Sequence, residues 1–310
     1  MHSPVYVDMD TVAVLTPQTR VKIKGHNMAL AVKDVLNHFS APKCFNDVAQ
    51  VLSKKYSSAT LNKMLGFLVD KHMLIAQCDA ETFASYDTDF KEKTFFYTAG
   101  GKSLQEIAEI FANLHVGLIG TYQLTQCLID NFQKGKLLPK FNVSLTDKQA
   151  GLEPNTVISE SDFIIVACNY ENHYLFNKIN EQCQKENKKW LRVVVEGANA
   201  EIGPLFIPGE TLCYSCLHSR QRNNMEENMY IFDDLFSNEQ FHNDAIDRPY
   251  MFSSLYPLSS LATNIAYAET MKHYTGLPCN VLDRVLIIND EGFNTQLDHV
   301  YRDYLCPICV

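Results

Sequence analysis

The spacing of apolar and polar positions divides the chain into two regions of different rhythm. Val5–Asp8, Val12–Leu15 and Arg20–Lys24 are short β-branched runs broken by Asp10-Thr11 and Pro17-Gln18, which predicts three strands with tight turns. In the third, Arg20, Lys22 and Lys24 alternate with Val21 and Ile23, so bases and apolar residues take opposite faces. Three amphipathic helices follow: Met28, Val32, Val35, Leu36 and Phe39 in the first, with Asn27 as its cap; 45–54 in the second; Leu61, Met64, Leu65, Leu68 and Val69 in the third, which begins near Ser58. Strands followed by three short helices are a winged-helix-like arrangement, assigned to residues 1–78. Residues 79–102, polar and ending in Gly100-Gly101, read as linker.

From 103 to 310 strands and helices alternate. Val116–Ile119, Phe141–Leu145, Phe163–Ala167, Leu191–Val195 and Val285–Asn289 are apolar runs of strand length, interleaved with helical patterns at Leu104–Leu114, after Gly120, at Tyr174–Lys185 and at Tyr256–Tyr274. That alternation predicts an α/β domain with a parallel sheet covered on both faces.

Composition narrows the possibilities. The 310 residues are 46% hydrophobic and 20% charged, an ordinary globular balance. The formal net charge of -9 argues against general phosphate-backbone binding, and 60–71 carries only two lysines and one aspartate, so no basic recognition helix supports a DNA-binding regulator. No apolar run reaches membrane-spanning length and none of signal-peptide type opens the sequence, so a cytoplasmic protein without membrane or nucleic-acid partners is expected.

Ten cysteines are present, and four come as two C-x-x-C pairs, Cys213–Cys216 and Cys306–Cys309. Each pair turns two thiols toward one point, and two such points together make the sulfur cage that zinc prefers. A thioredoxin-like redox pair needs only one such motif, structural disulfides do not suit a reducing compartment, and unrelated core cysteines seldom pair this way. The motif predicts a structural zinc ion. Cys168, at the end of an apolar strand, reads as a packed core cysteine rather than a nucleophile.

Val116 to Gly120 hands a strand to a helix, where a phosphate-cradling loop would lie. Only the first glycine of G-x-G-x-x-G survives; Tyr122 and Thr125 occupy the other places, and a tyrosine there blocks approach of a pyrophosphate.

The run Gly203-Pro204-Leu205-Phe206-Ile207-Pro208-Gly209-Glu210-Thr211-Leu212-Cys213-Tyr214-Ser215-Cys216 resembles the segment before the first zinc knuckle of ThiF-like, ubiquitin-activating-type proteins. It is especially similar to the branch that modifies thiazole/oxazole peptides, which also ends in Cys-Pro-x-Cys, as Cys306–Cys309 does here. The strand 161–168 is similar to the family's strand leading to a catalytic acidic loop, and the N-terminal module resembles a PqqD-like peptide-recognition element. The chain departs from adenylating members in its degraded glycine loop. It departs again at Asn169-Tyr170-Glu171-Asn172, which stands for their Asp-Asn, with Phe176 where their arginine would fall.

The resemblance implies a bacteriocin-type biosynthetic role. The chain would bind the leader of a ribosomally made precursor peptide and present it to a YcaO-type cyclodehydratase, with a flavin-dependent dehydrogenase as possible third component. It implies that the leader adds as a strand beside Arg20, Val21, Lys22, Ile23 and Lys24, against Leu61, Met64, Leu65 and Leu68. A homodimer, no catalytic residue set in this chain, and no use of ATP or magnesium are expected. The rival reading is an ATP- and magnesium-dependent adenylating enzyme of the ThiF class.

Overall fold

The computed structural model describes residues 3–309 except 7, 16–19, 26–27, 40–42, 71–73, 75–84, 148–149, 247–252 and 293. Two compact units result, Met1–Glu109 with Thr275–Leu277, and Ile110–Tyr274 with Pro278–Val310.

In the first unit β1 (Ser3–Tyr6), β2 (Thr11–Leu15) and β3 (Arg20–Lys24) form an antiparallel sheet in that order. Helices Met28–His38, Phe45–Leu52 and Ser58–Asp70 follow. Val12, Val32, Val35, Val48, Leu52, Leu61, Met64, Leu65 and Leu68 make one buried core, against which Ile23 packs while Lys22 and Lys24 stay exposed. The alternation read from β3 thus holds at its described side chains; the cap expected at Asn27 falls outside the described residues.

The span expected to be linker is different in kind. Residues 88–100 are helical, as Thr88–Thr94 and then a 3-10 segment Phe95–Gly100. Asp87 caps the start, accepting from the Phe90 amide at 2.6 Å. Phe90, Thr94 and Thr98 form a buried stripe at helical spacing. Two of the three stripe residues are threonines, which a hydropathy pattern scores as polar; their hydroxyls donate to Phe90 O at 2.5 Å and Phe95 O at 2.6 Å, which makes burial affordable. Residues 79–84 lie outside the described residues.

The second unit is mixed α/β around an eight-stranded sheet. Its strands are β4 (His115–Gly120), β5 (Lys140–Leu145), β6 (Ala150–Gly151), β7 (Phe163–Cys168), β8 (Lys189–Glu196), β9 (Asn199–Phe206), β10 (Arg284–Asn289) and β11 (Asn294–His299). Their spatial order is β11-β10-β9-β8-β7-β4-β5-β6. The centre β8-β7-β4-β5 is parallel; beyond it the pairings are antiparallel. The expected parallel sheet is its middle, with antiparallel strands added on both sides. The antiparallel wing escaped the sequence pattern because β9 carries Gly203-Pro204, which reads as a turn, and β11 is a polar strand, Asn-Thr-Gln-Leu-Asp-His. Proline is tolerated here because the β8–β9 register shifts between Leu191 and Val193, a bulge opposite Pro204.

Gly120 closes β4 at φ 151°, and a Cβ built there would lie 1.8 Å from Ala167 O on β7. Strand approach and the positive φ both require glycine here. Gly120→Ala is expected to cost about 3 kcal/mol or more, because the clash is with backbone and has no flexible neighbour to yield. Urea denaturation of the purified variant measures it; a loss under about 0.5 kcal/mol, the usual size of a neutral substitution, would contradict the packing described.

Candidate functional site

The two C-x-x-C pairs converge. Cys213 precedes the helix Tyr214–Asn223, and the turn before it is held by Thr211, whose Oγ1 accepts from Ile207 N at 2.7 Å and donates to Leu205 O at 3.1 Å. Cys306 and Cys309 stand in a turn at the end of the chain. Sγ–Sγ separations are 3.5 Å for Cys213–Cys306, 3.6 Å for Cys216–Cys309 and 3.9 Å for Cys213–Cys216. Ligands at 2.3 Å from a tetrahedral centre lie about 3.8 Å apart, so the set fits a metal ion. All four are buried and none is in a disulfide. The Asp303 amide donates to Cys216 Sγ at 3.4 Å, the kind of outer contact that orients a thiolate ligand. The Cys216 thiol is pushed up to about 11 by burial, so a thiolate here calls for a cation.

A second constellation lies at the carboxyl ends of β7 and β8, in a cleft of about 230 Å³. Its floor carries Glu171, Glu196, Glu201 and Asp233, its wall Met225, Met229, Phe232 and Phe236. Behind Glu171 and Glu201 lies Arg192, completely buried on β8. Its guanidinium pairs with Glu171 and, at 2.8 Å, with Glu201, and donates to Gly203 O at 3.2 Å across the β9 bulge. It also lies 5.6 Å from the centre of the Phe176 ring. Arg192 thus lies beside Phe176, the position where the resemblance had placed an arginine. In the apolar run Leu191–Val195 the single charge of Arg192, amid buried neighbours, is the signal in the sequence for this contact.

Around Glu171 the contacts continue. Burial would raise its carboxyl, but the Arg192 guanidinium outweighs this and holds it below the ordinary carboxylate value. Burial drives the Tyr214 hydroxyl far up, so it stays protonated and donates to Glu171 Oε1 at 2.8 Å. His173 Nδ1 meets that same hydroxyl at 2.7 Å, and burial brings this imidazole down to about 4. Asn172 caps the helix His173–Glu186 by accepting from Leu175 N at 3.0 Å. Cys168 is buried in the sheet core and its thiol is raised by burial, as a packed cysteine should be.

At the end of β4 the helix Tyr122–Lys134 points its N-terminus at Asp147, whose carboxylate accepts from Tyr122 N at 2.9 Å. An internal anion therefore sits on a helix-terminal N–H that a phosphate would otherwise use.

Of the residues nominated for peptide binding, Leu61, Met64, Leu65 and Leu68 are at most 8% exposed. They belong to the core cluster of the first unit, with Val12, Val32, Val35, Val48 and Leu52. Arg20 to Lys24 behave differently: β3 pairs with β2 alone among the described residues, which leaves a strand edge.

No protein-family model matches this chain, and no curated protein does. Solved structures do. A heterocyclase in complex with substrate and cofactor superimposes with TM-score 0.69 at 16% identity, over 99% of this chain and 38% of its own. The heterocyclase TruD gives the same score and identity over 99% and 42%. E. coli MccB, solved with AMPCPP and selenomethionine-labelled MccA, gives 0.71 at 14% identity over 99% and 97%. The chain thus spans about two fifths of the heterocyclases' length and matches MccB almost end to end. The likeness establishes the fold, a mixed α/β architecture consistent with a ThiF-like one. No helix among the described residues is long and apolar enough to cross a membrane.

Arg192→Met should destabilise the protein by roughly 3–5 kcal/mol, since it strands two carboxylates beside a buried methionine. Replacing Glu171 and Glu201 by glutamine in the same chain should recover a substantial part of that loss. Chemical denaturation of the single and triple variants separates the two; equal stability of both would mean the charges are not coupled.

Proposed function

We propose that this chain is a leader-peptide-binding component of a ribosomal-peptide modification system, presenting its substrate to a YcaO-type cyclodehydratase that forms azoline rings. The observation that carries the reading is the open edge of β3, flanked by exposed Lys22 and Lys24. An extended peptide adds to such an edge through backbone hydrogen bonds, and the lysines favour an acidic leader. In support, the fold is shared with structures described as heterocyclases and with E. coli MccB crystallised with the peptide MccA. Since Leu61, Met64, Leu65 and Leu68 are core, specificity rests on side chains beside the edge rather than on that helix. A flavin-dependent dehydrogenase and a second copy of the chain are further partners in this reading.

Zinc is the ion we assign to Cys213, Cys216, Cys306 and Cys309. Four thiolates leave no open position, so its role is structural. Cys309→Ser is expected to release the ion and loosen the end of the chain. Metal analysis of the purified variant checks this, and full zinc retention would refute the assignment.

The rival reading is peptide-carboxylate adenylation with ATP and magnesium. It is favoured by the near end-to-end match to MccB, which has also been solved with ATP, and disfavoured by Tyr122 and Asp147 at the phosphate corner. Titration calorimetry of the full chain with a synthetic leader from a neighbouring precursor gene separates the two. Saturable binding without ATP, weakened roughly tenfold in the Lys22→Glu/Lys24→Glu variant, is the expected outcome. Pyrophosphate exchange dependent on peptide and ATP would overturn it.

A further inference from the structure

Beside the cleft, which His173 and Asp233 line, stands a group of ligating side chains that the leader-binding reading leaves unused. His173, His218 and Asp233 come from three helices, His173–Glu186, Tyr214–Asn223 and Tyr230–Phe236, and each offers an atom within 4.8 Å of the others. Both imidazoles turn Nε2 to the same oxygen: Asp233 Oδ1 lies 3.2 Å from His173 Nε2 and 2.8 Å from His218 Nε2. Ligand atoms around a tetrahedral ion at about 2.0–2.1 Å would be roughly 3.3 Å apart.

Proton accounting at His173 makes the contact informative. A carboxylate only accepts, so the single proton of Tyr214 goes to Glu171, and the tyrosine oxygen must receive its other bond from His173 Nδ1–H. Nε2 is then the ring atom that faces the Asp233 carboxylate, at 3.2 Å, and either a proton or a cation must lie between the two. The arrangement, Nδ1–H tied to an outer hydroxyl that is itself tied to a carboxylate, is the one that presents Nε2 to metals. A separate observation points the same way. Gln221, one turn beyond His218 and lining the same cleft, has a buried Oε1 with no hydrogen-bond partner among the described residues. Four carboxylates line the cleft; Arg192 pairs with Glu171 and Glu201 and Arg222 with Asp233, so the acidic groups outnumber the arginines that meet them.

We propose that His173, His218 and Asp233 form a second metal site, for a divalent first-row transition ion of the zinc class, distinct from the four-cysteine site. Three protein ligands leave a coordination position open to the cleft, where water or a substrate group can bind, with Gln221 Oε1 as its hydrogen-bond acceptor. The imidazole rings stack at 4.1 Å and 17°, so binding requires a tilt of His218, the more exposed of the two at 16% against 2%. Arg222 stays on the other oxygen of Asp233 and orients it.

Titration of the metal-depleted full chain with cobalt(II) tests this. One equivalent should show intense thiolate-to-cobalt charge transfer, and a second should add only weak visible bands of a nitrogen- and oxygen-ligated ion. His218→Ala and Asp233→Asn should lose the second equivalent and keep the first, with circular dichroism confirming that each is folded. Cys306→Ser with Cys309→Ser should do the reverse, so failure of the cysteine site and failure of this one read differently. A wild-type chain without the nitrogen- and oxygen-ligated equivalent, or a folded His218→Ala chain that keeps it, overturns the proposal.

Discussion

The convergence of four thiols is the constraint from which the second unit takes its closure. Cys213 and Cys216 each reach a partner 93 residues further on, and the sulfur atoms lie in one core with Phe176, Trp190, Phe206 and Tyr214. Within the span so closed lie the helices that wall the cleft, the long helix Tyr256–Thr275, and the antiparallel edge β10–β11. Bringing the ends of such a loop together costs entropy that grows only logarithmically with its length, so one buried cluster can hold a long segment. The first knuckle does more than close the loop. It sets the start of the helix Tyr214–Asn223, and with it the positions of Gln221 at the cleft and of His218 and Arg222 against Asp233.

A buried guanidinium is the second constraint. Arg192 would be intolerable on a central strand without its carboxylates, and Glu171 and Glu201 would be costly without it. Mutual dependence of this sort is weak evidence for stability as such, because a hydrophobic replacement of the whole group would serve as well or better. Its value is geometric. It pins Glu171 between Arg192 and Tyr214, and Tyr214 in turn orients His173. The bulge at Gly203-Pro204 contributes a carbonyl that no regular ladder would offer at that place. The polar contacts at the carboxyl ends of β7 and β8 therefore derive from an irregularity in the neighbouring strand.

Much of this was legible in the sequence, and the failures share a cause. The strands β2 to β5, β7, β8 and β10 and the long helices carry apolar periodicity strong enough to read, and the cysteine spacing announced the sulfur cage. Where the pattern misled, polar residues were performing buried tasks. Thr94 and Thr98 hid a helix, Gly203-Pro204 hid β9, and Arg192 hid inside an apolar run. The helix Ser58–Asp70 failed in the opposite direction. Its stripe was read both as core and as binding groove, although a small unit of three strands and three helices needs all of that stripe for its own interior. Pairing in space, as between Arg192 and Phe176, has no signature in one chain read alone.

Two corners of the sheet compete as places for chemistry, and they are not equally available. At the ends of β4 and β5 the chain fills the corner with its own groups: Gly120 is pressed against β7, Tyr122 stands at the helix entry, and Asp147 accepts the amide that would meet a phosphate. At the ends of β7 and β8 a cleft remains, but at about 230 Å³ it is below the usual range of pockets that enclose a whole small-molecule ligand, roughly 300–1,000 Å³. That volume suits a side chain, a peptide end or a hydrated ion better than a nucleotide. Its acidic floor selects further, since an added anion would meet Glu171, Glu196, Glu201 and Asp233 with the two arginines already engaged. Size and charge together direct this cleft toward cationic occupants, and direct any contact with a peptide toward its basic or neutral parts. The edge of β3, with exposed Lys22 and Lys24, carries the opposite sign, so the described residues offer two surfaces of opposite charge.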